Sequence, residues 1–171
     1  MKKMISFLLV LMLCAGLAGA AFAEAENEEP APETDWPAVW ESMDLELPPD
    51  IEFDYGTSDL YTPEDLVSAL ALVLDEFATW EGTEMHKLAY MGDECNTEEN
   101  INWMNDLKNA RAEKETDDSD PDFTQCICFE SSFHSPKEAV GAWEPDQEYI
   151  GWQWWLARAD EGPWHLLTWG Y

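Results

Sequence analysis

The sequence predicts an α+β protein in which helices come first along the chain and an antiparallel sheet follows. Apolar residues recur at helical spacing in the first half of the chain, and from 124 onward apolar and polar residues alternate with a period of two. Helices and strands that are segregated along a chain are typical of α+β folds. A length of 171 residues suits one domain with a removable leader.

The composition supports a packed core and excludes two classes of partner. Hydrophobic residues make up 46% of the chain and include ten Trp, which excludes wholesale disorder. Asp and Glu number 37 against 8 Lys and Arg, so the formal charge is −29. Because so acidic a chain has no electrostatic attraction to phosphate backbones or anionic lipids, we expect neither nucleic-acid binding nor peripheral membrane binding.

The first 23 residues have the pattern of a secretory signal peptide. Two lysines near the start precede an uncharged run over 4–23, which ends on the small residues Ala21 and Ala23. Acidic chain begins directly afterwards at Glu24. This pattern predicts cleavage after Ala23 and secretion, so that the protein meets the membrane only through its cleaved leader.

Two other interpretations of the leader stay open. Its apolar run is just long enough to serve as an uncleaved membrane anchor. Alternatively, lipid attachment at Cys14 would make the protein a cell-surface lipoprotein. The bulky Leu13 stands where lipoprotein processing normally requires a small residue, so the sequence favours secretion.

Residues 24–50 are predicted to form an acidic tether rich in Pro and Ala, followed by a docking arm. The first part lacks apolar periodicity, which is typical of a flexible linker. Four apolar residues then recur at the spacing of a short helix: Trp36, Val39, Trp40 and Met43. The single α+β domain is placed at 51–171.

The strongest helix signal lies at 63–80. Thr62 offers a capping hydroxyl and Pro63 suits the first helical position. One face of this helix is apolar: Leu66, Leu70, Val73 and Phe77. We expect the helix to be mostly buried.

A strand over 85–90 and a second helix over about 98–110 are predicted next. An acidic run over 113–122 follows. Within it, Asp118, Asp120 and Asp122 resemble a calcium loop, but the Gly required at the sixth position is Phe123. A solvated acidic loop is therefore predicted, with weak calcium binding as the alternative.

Three strands complete the predicted fold. The first begins near 125 and ends at Phe133, the second covers 148–159, and the last covers 164–171 after a turn. In the second strand, one predicted face carries Ile150, Trp152, Trp154, Leu156 and Arg158. We expect the 63–80 helix to pack against this face.

Three cysteines remain after cleavage, so at most one intramolecular disulfide can form. In a strand, Cys126 and Cys128 would have Cα atoms about 6.6 Å apart, near the limit for a disulfide. A bridge from Cys95 to either of them stays open, as does a set of three buried thiols. A metal site joining Cys126, Cys128, His134 and Cys95 lacks a familiar spacing, so no metal is predicted.

A resemblance rests on the order of several motifs along 60–171. These are Tyr61-Thr-Pro-Glu-Asp65, Tyr90-x-x-Asp-Glu94, the strand ending at Phe133, Trp152-Gln-Trp-Trp-Leu-Ala-Arg158, and Trp164 to Trp169-Gly-Tyr171. Together they resemble an uncharacterised family of secreted or lipid-anchored proteins of Gram-positive, gut-type bacteria. That family is similar to nuclear transport factor 2-like, or cystatin-like, rolls. The resemblance implies helices on a curved antiparallel sheet and no catalytic residue.

Tryptophans supply the candidate ligand contacts. Trp152, Trp154 and Trp169 could stack on a sugar ring or another flat apolar ligand. In a sheet that curves over a helix, such residues more often fill the core. The sequence favours the core interpretation.

No catalytic constellation is recognisable, and we predict neither an enzyme nor a cofactor. The three histidines are isolated in the sequence, and no G-x-S-x-G motif or phosphate-binding glycine loop occurs. By analogy with enzymes of roll folds, Asp93, Tyr90 or His165 could act as an acid or base inside the roll.

The sequence therefore favours an exported soluble binding module for an unknown small molecule, glycan or protein. The alternatives are a small isomerase-like or dehydratase-like enzyme and a structural component of the cell envelope.

Overall fold

The computed structural model describes residues 33–115, 121–138 and 143–171. The signal peptidase site at Ala21 and Ala23, Cys14, and the two aspartates Asp118 and Asp120 lie outside the described residues. The compact unit runs from Thr34 to Tyr171. Within the described ranges, no helix combines the length and apolarity needed to cross a bilayer.

Among the described residues, three α-helices and five strands form the domain, which confirms the predicted α+β class. The sheet has the order β1-β2-β3-β4-β5 and is antiparallel except for the parallel pair β1 and β2. The elements are α1 (Trp36–Ser42), β1 (Glu52–Asp54), α2 (Pro63–Phe77), β2 (Glu84–Tyr90), α3 (Glu98–Glu115), β3 (Gln125–His134), β4 (Glu148–Arg158) and β5 (His165–Gly170).

The arm that precedes the predicted domain packs as part of the same compact unit. Trp40 of α1 is 2% exposed, and its Nε1 donates to the hydroxyl of Tyr55 at 2.9 Å. Trp36 stacks on the same Tyr55 ring at 3.7 Å between centroids. These contacts join α1 to the segment that follows β1, while α1 also packs against α2. A recess lies between the arm and α2.

Helix α2 begins at a capping box. The Thr62 hydroxyl accepts a hydrogen bond from the Asp65 amide, and the Asp65 carboxylate accepts one from the Thr62 amide, both at 3.1 Å. Leu70, Val73 and Phe77 are buried and pack on the sheet as predicted. The helix ends at Phe77, so Trp80 lies in the following turn.

One predicted core position in β4 is wrong. Ser131 pairs with Trp152 but Ser132 pairs with Ile150, so Gly151 is an extra residue in β4 with φ +82°. Such a bulge reverses the side of the sheet to which the preceding residues point. Tyr149 therefore stacks on Phe133, whereas Ile150 is 69% exposed.

The opposite face of the sheet is partly covered by α3. A smaller core lies there, formed by Met104, Phe123, Cys126, Ala157 and Leu167. At the sheet edge, the Arg111 guanidinium of α3 donates to the carbonyl oxygens of Leu166 and Leu167 in β5.

A partly buried ion pair joins the end of β4 to the start of α2. The Arg158 guanidinium donates to the Asp65 carboxylate and, through Nε, to Gln125 Oε1 at 2.6 Å. The guanidinium carbon also lies 4.3 Å from the centroid of the Trp164 ring and 5.8 Å from that of Tyr61. Partial burial disfavours the ionised carboxyl, but hydrogen bonds from Arg158 and from the Thr62 backbone hold the pKa of Asp65 below its ordinary value.

Candidate functional site

An aromatic cluster around Trp80 fills the interior beside the end of α2. The Trp80 ring stacks on Trp154 at 5.1 Å and meets Phe133 edge-on at 5.6 Å. Trp154 is fully buried, and its Nε1 donates to the hydroxyl oxygen of Ser131 at 2.8 Å. Its position supports the core interpretation, since no face of this ring is open to a ligand.

The other two tryptophan candidates lie where this cluster meets the surface. Trp152 is partly exposed, and its ring centroid is 5.1 Å from that of Tyr171. The buried Trp152 Nε1 has no hydrogen-bond partner within the described residues. Trp169 is 37% exposed. A ligand contact by Trp152 or Trp169 stays a prediction.

Two of the acid or base candidates form one hydrogen-bonded group. The Asp93 carboxylate accepts hydrogen bonds from the Ser58 hydroxyl at 2.5 Å, the Tyr90 hydroxyl at 2.6 Å and the Asp59 amide at 2.7 Å. Burial disfavours its ionisation, but these bonds hold the pKa of Asp93 below its ordinary value. Burial and the bond to Asp93 raise the pKa of Tyr90. This geometry anchors the 58–61 loop to the turn at 92–95.

The third candidate, His165, lies elsewhere. It is exposed on β5, and its ring packs against Phe123 with centroids 5.6 Å apart. Within the described residues it makes no hydrogen bond to Asp93 or Tyr90. The fold thus brings two of the three proposed acid or base residues together and leaves His165 out.

An open groove of 770 Å³ lies between the arm, α2 and the start of β2. We name this recess the arm groove; its walls are residues 45–51 of the arm, 71–78 of α2 and its C-cap, and 84–86 of β2. Its apolar lining includes Trp40, Leu45, Ile51, Leu74, Phe77 and Met85. The volume is within the range of about 300–1,000 Å³ that is typical of ligand sites.

Carboxylates surround this apolar lining. Glu46 and Asp50 come from the arm, Asp75 from α2 and Glu84 from β2. No Lys or Arg is among the lining residues, and His86 is the one basic side chain there. The arm groove therefore combines an apolar floor with a negative rim, a pattern that sequence reasoning missed because its parts are far apart along the chain.

The start of β2 presents an open backbone edge to the arm groove. Strand β1 pairs only with Lys87, Leu88 and Ala89, so the three preceding residues of β2 have no strand partner on that side within the described residues. In the arm, Pro48 and Pro49 carry no N–H group that could pair with this edge. Unpaired strand edges are templates for strand addition.

Two histidines that are isolated in the sequence meet beside the arm groove. The register between β2 and β3 shifts between Met85 and Lys87, so His86 lies in a bulge of β2 near the end of β3. His86 Nδ1 lies 3.1 Å from Glu148 Oε1, and His134 Nδ1 lies 3.3 Å from Glu148 Oε2. The second ring nitrogen of His134 lies 3.3 Å from Asp146 Oδ1. Glu148 thus links both histidines.

We expect the contacts of His134 with Asp146 and Glu148 to make the stability of the fold depend on pH. Hydrogen bonds to Asp146 and Glu148 raise the pKa of His134 above its ordinary value of about 6.5. A raised pKa contributes stability below pH 6.5, and that contribution disappears as pH rises through the higher folded-state pKa. The melting temperatures of wild type and His134→Gln should therefore differ most below pH 6.5 and converge as pH rises through the folded-state pKa of His134.

The matched control for this experiment is His165→Gln, which removes an exposed histidine that packs on Phe123 and has no carboxylate partner among the described residues. Its melting temperature should follow wild type across the same pH range. A constant difference between wild type and His134→Gln would contradict the assignment.

The three cysteines lie where the short helical turn Asp93–Cys95 packs on β3. Cys126 and Cys128 are fully buried, and Cys95 is partly exposed. Cys126 Sγ donates to the Cys95 carbonyl oxygen at 3.1 Å. Cys128 Sγ lies 3.6 Å from the Met91 sulfur.

The metal site considered from the sequence is not assembled among the described residues. His134 lies at the far end of β3 from Cys126 and binds carboxylates instead. Across the described part of the chain, no three His, Cys, Asp or Glu side chains converge in a way that could hold a metal ion.

Comparison of the chain with protein-family models, with curated proteins and with solved structures found no match.

Proposed function

We propose that the protein is an exported binding module whose arm groove accepts an extended peptide carrying Lys or Arg among apolar side chains. Export follows from the leader predicted to be cleaved after Ala23. The observation that carries the proposal is the coincidence, in one groove, of an apolar floor, a carboxylate rim and an open strand edge.

The apolar floor supplies the favourable free energy of binding. Leu74 and Ile51 are partly exposed at the groove, where Met85 and Phe77 complete the apolar lining. Covering such surface contributes about 25 cal/mol for each Å² of apolar area removed from water. A ligand with apolar side chains therefore gains most by lying along this floor.

The carboxylate rim selects the charge of the ligand. Glu46, Asp50, Asp75 and Glu84 surround the floor without a lining Lys or Arg to balance them. The chain as a whole carries a formal charge of −29, so it attracts cations and repels anions over distance. Complementary charge fixes the orientation of a partner and speeds its association.

The open edge of β2 favours a peptide over a small amine or a sugar. Residues Glu84–His86 can pair with the main chain of an added strand, as β1 does with Lys87–Ala89. In strand addition, main-chain hydrogen bonds provide affinity and alternate side chains enter pockets. Every second side chain of such a peptide would face the apolar floor.

The filled interior supports a surface-binding role over the alternative of a roll-type enzyme. Trp154, Phe133 and Phe129 are fully buried between α2 and the sheet, where the reaction cavity of such an enzyme would lie. Asp93 is occupied by the Ser58, Tyr90 and Asp59 hydrogen bonds described above.

A labelled peptide of alternating Leu and Lys tests the proposal by fluorescence anisotropy with the chain that starts at Glu24. In the double variant Asp75→Asn/Glu84→Gln, we expect affinity to fall about tenfold, because two rim ion pairs of about 0.7 kcal/mol each are lost. The matched control is Glu98→Gln/Glu99→Gln on α3, which changes the net charge equally. Equal weakening in both would show attraction to the acidic surface in general and overturn the proposal.

Two further measurements test the contributions of the apolar floor and of the open edge of β2 separately. Ala71→Phe places a ring in the arm groove without changing charge and should abolish binding, while the melting temperature shows that the fold persists. Methylation of alternate backbone nitrogens of the probe removes main-chain donors and should also abolish binding. A methylated probe that binds as tightly as its parent would contradict strand addition.

A further inference from the structure

A row of titratable side chains crosses three strands at one end of the arm groove. Glu84 of β2 is paired in register with His134 of β3, which is paired in turn with Glu148 of β4. Residues directly opposite each other on neighbouring strands have Cβ atoms about 4.5–5.5 Å apart. The charge of His134 therefore acts directly on Glu84, which is one of the carboxylates of the groove rim. His86 lies two residues further along β2 and itself lines the groove.

The carboxylates around His134 suit its protonated form. Its two ring nitrogens lie 3.3 Å from carboxylate oxygens, one of Glu148 and one of Asp146. A neutral imidazole has a single N–H group and can donate to one of these oxygens only, whereas the protonated ring donates to both. The raised pKa of His134 agrees with this geometry. The second Glu148 oxygen lies 3.1 Å from His86 Nδ1, so one carboxylate faces both histidines.

We name His86, His134, Asp146 and Glu148 the histidine–carboxylate cluster. Two carboxylates and two histidines give it a charge of −2 when both rings are neutral and of zero when both are protonated. Within the described residues, Asp146 and Glu148 form their ion pairs with these two rings, so the rings alone set the charge of the cluster. Histidine is the side chain whose charge ordinarily changes between about pH 5 and pH 8.

The charged groups that other elements direct toward this end of the groove are mainly carboxylates. The groove rim supplies four of them: Glu46, Asp50, Asp75 and Glu84. The residue after His86 in β2 is Lys87, whose ammonium group is paired with Glu52 at 3.0 Å and lies 3.9 Å from Asp54. Among the described residues here, His86 and His134 are therefore the groups that gain positive charge as pH falls from 8 toward about 5.

We propose that the histidine–carboxylate cluster makes the arm groove release its basic peptide when the surroundings become acidic. This inference rests on the proposed function of the groove. With both rings neutral, the cluster adds two negative charges to those of the rim, and the groove attracts Lys and Arg. Protonation of both rings cancels these two charges, and His86 then carries a positive charge on the groove lining itself. The apolar floor and the open edge of β2 are unchanged, so the loss of affinity depends on the charge of the peptide.

Fluorescence anisotropy at about pH 8 and pH 5.5, on either side of the range in which histidine titrates, tests this inference. The probe is the labelled peptide of alternating Leu and Lys, with the chain that starts at Glu24. We expect the wild-type affinity to be about threefold to tenfold lower at the acidic pH, as for the loss of one or two exposed charge interactions. A peptide of alternating Leu and Gln carries no side-chain charge and should bind equally at both pH values. Circular dichroism at each pH checks that the fold persists.

The variant His86→Gln/His134→Gln removes both titrating rings, so its affinity for the Lys peptide should be the same at both pH values. The matched control is His165→Gln, because His165 lies on β5 outside the groove lining. It should keep the wild-type ratio of the two affinities.

Three results would contradict the inference. If the wild type binds the Lys peptide equally well at both pH values, the cluster does not control release, although the proposed function of the groove stands. If the double variant loses as much affinity at acidic pH as the wild type, the two histidines are not the cause. If the wild type binds the Lys peptide at neither pH, both the inference and the proposed function are wrong.

Discussion

Trp154→Ala should reduce the free energy of unfolding by about 3–5 kcal/mol, which is a large part of the 5–15 kcal/mol typical of a natural domain. The indole is fully buried and stacks on Trp80, and its Nε1 donates to Ser131. Truncation removes these contacts, leaves a cavity beside Phe77, and takes away the hydrogen-bond donor of a buried hydroxyl. Urea unfolding followed by circular dichroism measures the loss.

Trp103→Ala is the matched control, because Trp103 is 39% exposed on α3 and contacts Trp155 at the surface. We expect a loss of about 1 kcal/mol or less there. Trp154 would instead be a ligand contact if Trp154→Ala left the melting temperature almost unchanged and abolished binding of a glycan or apolar ligand.

Arg158→Met should reduce the free energy of unfolding by about 2–4 kcal/mol, because it breaks a partly buried ion pair from one side. Arg158 is 4% exposed. Its removal leaves the Asp65 carboxylate and the Gln125 amide oxygen without their charged donor, and it removes the cation over the Trp164 ring. Thermal and urea unfolding both measure this loss.

The double variant Arg158→Met/Asp65→Asn separates the pair from its surroundings. Asn keeps an oxygen that can accept the Thr62 amide, so the capping box persists while the unpaired charge disappears. We expect the double variant to recover part of the stability lost in Arg158→Met. If Arg158→Met unfolds like the wild type, the ion pair does not hold α2 to β4.

Local signals account for the elements that could be predicted from the sequence. Helix α2 has its cap at Thr62 and its apolar spacing, and β3 has Ile127, Phe129 and Phe133 at alternate positions, so both were predicted near their observed positions. Strand β1 was missed because three residues are too few for an alternating pattern to show. The wrong prediction that Ile150 faces the core has a different cause. Side chains alternate between the two faces only while the strand pairs without an extra residue, and Gly151 is such an extra residue.

The candidate site depends on packing that no local pattern records. The walls of the arm groove come from three segments that meet only when α1 docks on α2. Likewise, His86 and His134 share Glu148 because three neighbouring strands place them at one end of the sheet. For the thiols, the sequence limited the chain to one intramolecular disulfide, but it did not predict that the 93–95 turn packs against Cys126 of β3.

The two edges of the sheet differ in whether their backbone groups are already hydrogen-bonded. Arg111 occupies carbonyl oxygens of β5 at one edge, whereas the start of β2 at the other edge is open beside the arm groove. Because each copy has one open edge, copies of this chain that paired edge to edge would form a dimer and could not extend into a fibril. A second copy of this chain brings the same excess of carboxylates to the open side, so mutual repulsion opposes even this pairing.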